Sequence, residues 1–279
     1  MKVAILGTHG MLGSMVYKVF QKSGYTIIGL DREQIDAQTA SIDDWVKAIA
    51  GCHYIVNCIG IIKPYIHDDN MTEVKRALEV NSLFPIKLDL AAEKVQARVL
   101  QIATDCVYDG QKGLYVETDK HNATDVYGKT KSLGEVISPR FLNLRCSIIG
   151  PEKQNMYSFM EWFLTQPEGA SVFGYQNHFW NGITTLAFAK ICLGLIQNNS
   201  FESGCYHVVP ADMMKKADML RVFAAAFNRY DIRIFDVDAP HRIDRTLATL
   251  YPNMNQKLWQ MGGYKIIPTI TDMIYELTI

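Results

Sequence analysis

Neither sign of charge dominates these 279 residues: 28 lysines and arginines stand against 29 aspartates and glutamates, a formal net charge of −1. That balance excludes a strongly electrostatic, sequence-blind grip on nucleic acid or on an acidic membrane, while leaving room for a local basic pocket. There is no C-x-x-C pair. The six cysteines (Cys52, Cys58, Cys106, Cys146, Cys192 and Cys205) are scattered singly, and neither they nor His67 and His178 have metal-ligand spacing, so no disulfide framework and no required metal are expected. Most of the cysteines lie in apolar runs and read as buried free thiols of a reducing compartment. No apolar run is long enough to span a bilayer, since Thr184 to Ile196 is short and broken by Lys190. The start of the chain, Lys2 followed at once by a strand pattern and glycines, is not that of a signal peptide. A cytoplasmic protein is expected, with neither nucleic acid nor membrane as partner; the oligomeric state stays open, a homodimer being one option.

What is present is an ordinary globular balance, 48% hydrophobic and 20% charged residues, enough to bury a sizeable core. Short β-branched runs alternate with longer helical patterns through the first half. Strands are predicted at Lys2–Leu6, Thr26–Leu30, His53–Cys58, Arg98–Ala103 and Phe141–Cys146. Helices are predicted at 11–21, after Ser41, at 72–95 and at 126–136. Such alternation implies right-handed βαβ units and an α/β fold: a doubly wound, Rossmann-type parallel sheet whose ligands bind beyond the carboxyl ends of the strands. After Gly150-Pro151 the rhythm changes. Residues 1–150 are therefore expected to form the dinucleotide-binding domain and 151–279 a smaller α+β, mainly substrate-binding part, from which a helix such as 185–196 returns to cover the first.

The first strand runs into Gly7-Thr8-His9-Gly10-Met11-Leu12-Gly13 and then a helix. In that context a G-x-x-G-x-x-G loop allows a tight turn, close backbone approach to a pyrophosphate, and a helix N-terminus aimed at the anion. The cofactor expected is NAD(P)H. Asp31, ending the second strand, suits the adenosine ribose hydroxyls of NAD; Arg32 beside it suits the 2′-phosphate of NADP, so the sequence leaves the choice open. Asp36 reads equally as a contact to the adenine amino group or as a solvated turn residue.

Tyr127 and Lys131, four residues apart on the helix predicted at 126–136, share a face. An ammonium near a phenol favours the phenolate and lowers its pKa, as a proton donor to a developing alkoxide requires. Thr104, ending the strand before, offers a hydroxyl where a substrate oxygen would sit. Together with Asn57-Cys58-Ile59-Gly60, the run Ala103 to Gly110 and Gly134-Glu135, these motifs resemble the extended short-chain dehydrogenase/reductases, and among them the dTDP-4-dehydrorhamnose reductase group of sugar-nucleotide enzymes. The likeness is strong over the first half and looser beyond Arg145. It implies catalytic roles for Thr104, Tyr127 and Lys131, and a dinucleotide held by Gly7, His9, Gly10, Met11, Leu12, Gly13, Asp31 and the loop Asn57, Cys58, Ile59, Gly60. It also implies reduction of a nucleotide-linked 4-keto-6-deoxysugar, feeding surface polysaccharide. The loop 61–70, with Lys63-Pro64-Tyr65-Ile66-His67, departs from the family pattern.

Rivals remain. Dehydratases of the superfamily place Thr-Asp-Glu at the strand end, whereas here Thr104-Asp105-Cys106 puts a thiol where acid–base work needs a carboxylate. An epimerase on the same scaffold, or a non-catalytic NAD(P)-binding regulatory subunit, stays open. On the substrate side Asp105 would orient the sugar, Trp180 would stack on a base or sugar or simply pack, and Arg242 and Arg245 would clamp a diphosphate or form surface ion pairs. Finally, Pro85 lies inside the predicted helix 72–95 and can give no N–H to the carbonyl of Asn81. A kink is expected there, and the resemblance supplies a use: that carbonyl would bind a water near Lys131 and so make Asn81 part of the proton supply.

Overall fold

The computed structural model describes residues 1–152 and 156–279. Its centre is a six-stranded, wholly parallel sheet. Five strands are those expected: β1 (Lys2–Leu6), β2 (Thr26–Leu30), β3 (Tyr54–Asn57), β4 (Arg98–Thr104) and β5 (Phe141–Cys146). Their order is β2-β1-β3-β4-β5, with Gly204–His207 as a sixth strand beyond β5. Successive residues of a strand point to opposite faces. Val3 and Ile5 thus enter one hydrophobic cluster with Leu100, Leu142 and Leu144, while Ala4 and Leu6 enter the other with Trp45, Phe84 and Leu88. Both faces are covered, which is why these strands are mostly apolar. The chain leaves β1 in one direction to form β2 and returns on the other side of β1 to form β3. A crevice opens at the carboxyl ends of strands at such a switch point.

Helix α1 (Met11–Phe20) and helix α2 (Ile42–Ala48) cover opposite faces of the sheet. Ser41 and Asp44 close a reciprocal capping box on α2, satisfying N–H groups its first turn cannot bond internally. The helix Thr185–Gln197 packs on α1, and a Cβ at its Gly194 would fall 1.7 Å from the Met261 carbonyl, so the helix Pro252–Met261 lies directly over it. Caught between two neighbours, this helix is apolar nearly all round. The chain beyond residue 150 therefore contributes a strand and two helices to the sheet layers. What stands over the carboxyl ends of the strands is a small set of short strands (Ser171–Tyr175 with Arg233–Val237; His178–Trp180 with Met214–Lys215 and Ile243–Asp244) and the helices Phe159–Leu164 and Lys216–Ala226.

The long helix around Pro85 differs from expectation. It runs α at Met71–Ala77, π at Leu78–Leu83 and α again at Phe84–Val95. Phe84 N–H bonds the Glu79 carbonyl, five residues back. One wide turn takes up the missing proline donor without breaking the helix. The Asn81 carbonyl lies against the α-carbon of Gly134, one turn along the helix from Lys131, where a Cβ would approach it to 1.9 Å.

Candidate active site

Gly7 takes a left-handed φ of +80° and donates to the Leu30 carbonyl at 2.7 Å, closing β1 onto β2. A Cβ at Gly13 would sit 2.0 Å from the Gly7 carbonyl oxygen, so only glycine lets α1 start this close to the strand. The N-terminus of α1 at Gly10 has no side-chain cap, leaving N–H groups free for an anion. Asp31 is buried; one carboxylate oxygen accepts from Glu33 N–H at 2.9 Å and the other lies 3.3 Å from His9 Nε2. Arg32 turns away to pair with Asp36 at 3.0 Å, and Asp36 also accepts from Gln38 N–H. Asp36 thus shapes a turn. Asn57 lies beneath the loop after β3. It is wholly buried, donating to Gln101 at 2.8 Å and accepting from Ile59 N–H at 3.1 Å, so it shapes the loop, while Cys58, Ile59 and Gly60 face the cleft.

That cleft has a volume of about 450 Å³ and runs from His9–Leu12 past Thr104, Tyr127 and Lys131 to Ser147, Tyr157 and Phe159. The helix Val126–Leu133 is placed by its start. Asp125 caps it, accepting from Gly128 N–H at 2.7 Å, and a Cβ at Gly128 would fall 2.4 Å from the Cys106 carbonyl. The absence of a side chain at Gly128 therefore brings Tyr127 down to the end of β4. Thr104 is buried there, its hydroxyl accepting from Cys106 N–H at 3.1 Å. Lys131 Nζ reaches the Ile102 carbonyl at 3.4 Å.

Electrostatics differ from the sequence reading in one respect. Burial pushes the Tyr127 phenol well above its ordinary value, with the nearby Cys106 and Asp105 acting the same way and the Thr104 hydroxyl opposing. Lys131 is pushed down by burial and held up by Glu135. Desolvation thus acts on the phenol in the direction that favours its protonated form. Burial also raises Asp105, against the pull of Arg245, and pushes the Cys106 thiol to about 12.

Asn81 enters by its side chain. Its amide accepts from Ile61 N–H at 2.8 Å, donates to the Ile61 carbonyl at 3.0 Å and reaches Thr130 Oγ1 at 3.3 Å. It pins the loop after β3 to the helix of Tyr127 and Lys131. A Cβ at Gly60 would stand 3.5 Å from Asn81 Oδ1 and 3.7 Å from Lys131 Nζ, so amide and ammonium flank the same glycine.

Two substrate-side residues for which the sequence leaves two readings lie as follows. Trp180 is buried in the core and its indole N–H is taken by Ser147 at 2.8 Å; it is a packing residue beneath the cleft. Arg242 is exposed, paired with Asp244 at 2.9 Å, and forms no clamp with Arg245. Arg245 bonds the Tyr108 carbonyl at 2.8 Å and turns its charge toward Asp105. Its companion is one the sequence did not single out. Lys216, half-buried over the Phe159 ring at 5.2 Å, lies within reach of the charges of Asp105 and Arg245. Nothing in the spacing of Lys215-Lys216 marks it.

A parallel doubly wound sheet, a bare helix N-terminus at its switch point, and Thr104, Tyr127 and Lys131 in the same cleft define a Rossmann-type protein built for a dinucleotide. Residues 1–271 match the RmlD substrate binding domain, and the chain belongs to that family. It is 27% identical over 226 residues to a dTDP-4-dehydrorhamnose reductase of Aggregatibacter actinomycetemcomitans, covering 74% of this chain and 72% of that one. It is 26% identical over 247 residues to methionine adenosyltransferase 2 subunit beta of Danio rerio, covering 81% and 74%. In three dimensions it resembles the dTDP-4-dehydrorhamnose reductase of Bacillus anthracis in complex with NADP, with a TM-score of 0.81 at 18% identity over 99% of this chain and 98% of the other. No helix among the described residues is long and apolar enough to cross a membrane.

Proposed function

We propose that the protein is an NAD(P)H-dependent reductase of a nucleoside-diphosphate-linked 4-keto-6-deoxysugar, acting in the supply of surface polysaccharide precursors. The observation that carries this reading is the convergence of Thr104, Tyr127 and Lys131 in the cleft that also opens on the uncapped N-terminus of α1. Bound there, the dinucleotide would supply the hydride; the α1 N-terminus and Gly10–Leu12 would hold its pyrophosphate and Asp31 its adenosine ribose. Tyr127, whose protonated form burial favours, gives its proton to the substrate oxygen as charge develops. Thr104 orients that oxygen. Lys131 sets an ammonium beneath, with Asn81 fixing the loop on its other side. Arg245 and Lys216 face the region between Asp105 and Phe159, where they would meet the anionic part of the substrate. Incubation with a panel of nucleotide keto-sugars, following NAD(P)H absorbance, tests this reading. Steady oxidation supports it. Turnover of a sugar without net oxidation would make the protein an epimerase.

A second reading is favoured by the relative named as a subunit of methionine adenosyltransferase: a dinucleotide-binding regulatory subunit without turnover. Against it stands the complete Thr104, Tyr127 and Lys131 set, which binding alone does not require. Tight dinucleotide binding with no reaction on any keto-sugar would favour this second reading.

A further inference from the structure

The loop between β3 and the helix at Met71 is anchored at both ends. Ile61 is held by the Asn81 amide through its N–H and its carbonyl, at 2.8 and 3.0 Å. Ile66 is buried in the core. At the far end the N–H and Nδ1 of His67 meet one oxygen of Glu73, at 2.8 and 2.7 Å. Between these anchors Pro64 stiffens a short 3-10 turn, Lys63–Tyr65. Tyr65 lines the cleft, and its ring meets that of Tyr157 edge-on at 5.2 Å. Residues on either side of Tyr65 reach the start of the helix Val126–Leu133. Lys63 Nζ bonds Asp125 at 2.6 Å, and both oxygens of Asp68 accept from Val126 N–H, at 3.2 and 3.3 Å.

These contacts bracket Tyr127. Its helix has only eight residues, and the first N–H groups of a helix have no partner within it. Here Val126 N–H goes to Asp68, and Gly128 N–H goes to Asp125, whose other oxygen is taken by Lys63. Burial raises the Asp125 carboxyl, yet Lys63 and the Gly128 N–H outweigh it and hold the group below its ordinary value. We propose that Lys63 and Asp68 are positioning residues for the proton donor: the loop clasps the first turn of the helix and so fixes where the Tyr127 phenol stands in the cleft. The energetics favour position over stability. The Lys63 side chain is 59% exposed, and an ion pair so exposed adds little to the fold. Misplacing a reacting group by about 1 Å, in contrast, costs about a hundredfold in rate. Gly128 already rests against the Cys106 carbonyl, where a Cβ would stand 2.4 Å away, and the loop holds the turn in that seat. The inference rests on the reductase reading of the cleft.

The test is steady-state kinetics of the whole chain with the nucleotide keto-sugar that it turns over best, beside calorimetry of the dinucleotide and urea unfolding. Lys63→Met lowers kcat about tenfold, with KM, dinucleotide affinity and the unfolding midpoint unchanged. Lys63→Arg keeps the charge and restores most of the lost rate. Asp68→Ala lowers kcat with KM unchanged, and Asp68→Asn, which keeps an acceptor for Val126 N–H, restores it. An unchanged kcat in Lys63→Met and Asp68→Ala overturns the inference while leaving the reductase reading intact. A fall in kcat that Arg at 63 and Asn at 68 fail to restore, or a Lys63→Met protein whose lost rate tracks a lowered midpoint, marks a merely structural contact and overturns it too. If the unmodified protein turns over no keto-sugar, with or without net oxidation, the reductase reading fails and the inference with it.

Discussion

Arg145 donates through Nη1 to Nε2 of His207 across 2.7 Å, deep beneath the carboxyl end of β5, and this fixes where the imidazole carries its proton. With Nε2 accepting, the hydrogen sits on Nδ1, 2.6 Å from the Ala248 carbonyl. His121, Glu135 and Tyr108 bond the same guanidinium, and Glu117 faces His207 from the other side. A second proton on His207 would point at a guanidinium.

Acid should therefore weaken the fold in a defined window. Burial, with Arg145 adding to it, lowers His207 from 6.5 to about 4. Between those values the unfolded chain binds a proton that the folded chain refuses. Stability is full above 6.5, falls as the pH drops toward 4 by about 1.4 kcal/mol per unit, and loses nothing more to this group below. Urea unfolding at pH 7, 5.5 and 4.5 should show the slope, and His207→Gln should flatten it. Parallel slopes for both proteins would remove His207 as the cause.

Tyr127→Phe keeps the ring and removes the proton. If Tyr127 is the donor, kcat falls about a hundredfold or more while the dinucleotide Kd, measured without substrate, is unchanged. Normal turnover by this variant would leave the proposed mechanism without an acid.

Arg242 and Lys216 should part company. Arg242→Ala removes an exposed ion pair and should leave KM for the sugar nucleotide as it was. Lys216→Met keeps the stem over Phe159 and deletes the charge, and should raise KM about tenfold without changing dinucleotide affinity. Equal effects from both variants would contradict the placement of these charges.

Gly134→Ala tests the helix contact. Its Cβ would meet the Asn81 carbonyl at 1.9 Å, and neither backbone is free to retreat. A loss of about 1–3 kcal/mol, the scale of overpacking, is expected in chemical denaturation. An unchanged midpoint would mean the two helices are not so closely seated.

What could be read in advance was what neighbours in sequence decide. The glycine loop, Asp31 at the end of β2, the cap at Ser41 and the shared face of Tyr127 and Lys131 all depend on residues a few positions apart. Those five strands and that constellation appear where the sequence put them. The sixth strand, Gly204–His207, has its place beside β5 set by a partner some sixty residues away. Trp180 keeps two readings in the sequence because nothing local shows that Ser147 takes its N–H. Arg242 and Arg245 share a motif yet face different directions across a two-residue strand, Ile243–Asp244, and Lys216 arrives from another element altogether. The sequence reading lowers the pKa of Tyr127 because a nearby lysine is visible in sequence and desolvation is not.

The π turn at Leu78–Leu83 has a consequence for the chain's tolerance to length change. A helix with one such turn holds one residue more than its α-helical length requires, and everything after Phe84 is rotated by about 100° relative to everything before Ala77. Deleting a single residue between Leu78 and Leu83 would restore an unbroken α-helical count. The deletion would also turn Asn81 away from Ile61, or replace it at that angle by a neighbour unable to hold both the N–H and the carbonyl of the loop. This helix is set out of phase with itself, and the offset is what aims an amide at the loop beside Lys131. A shorter helix would be the more regular one and would leave that loop untethered.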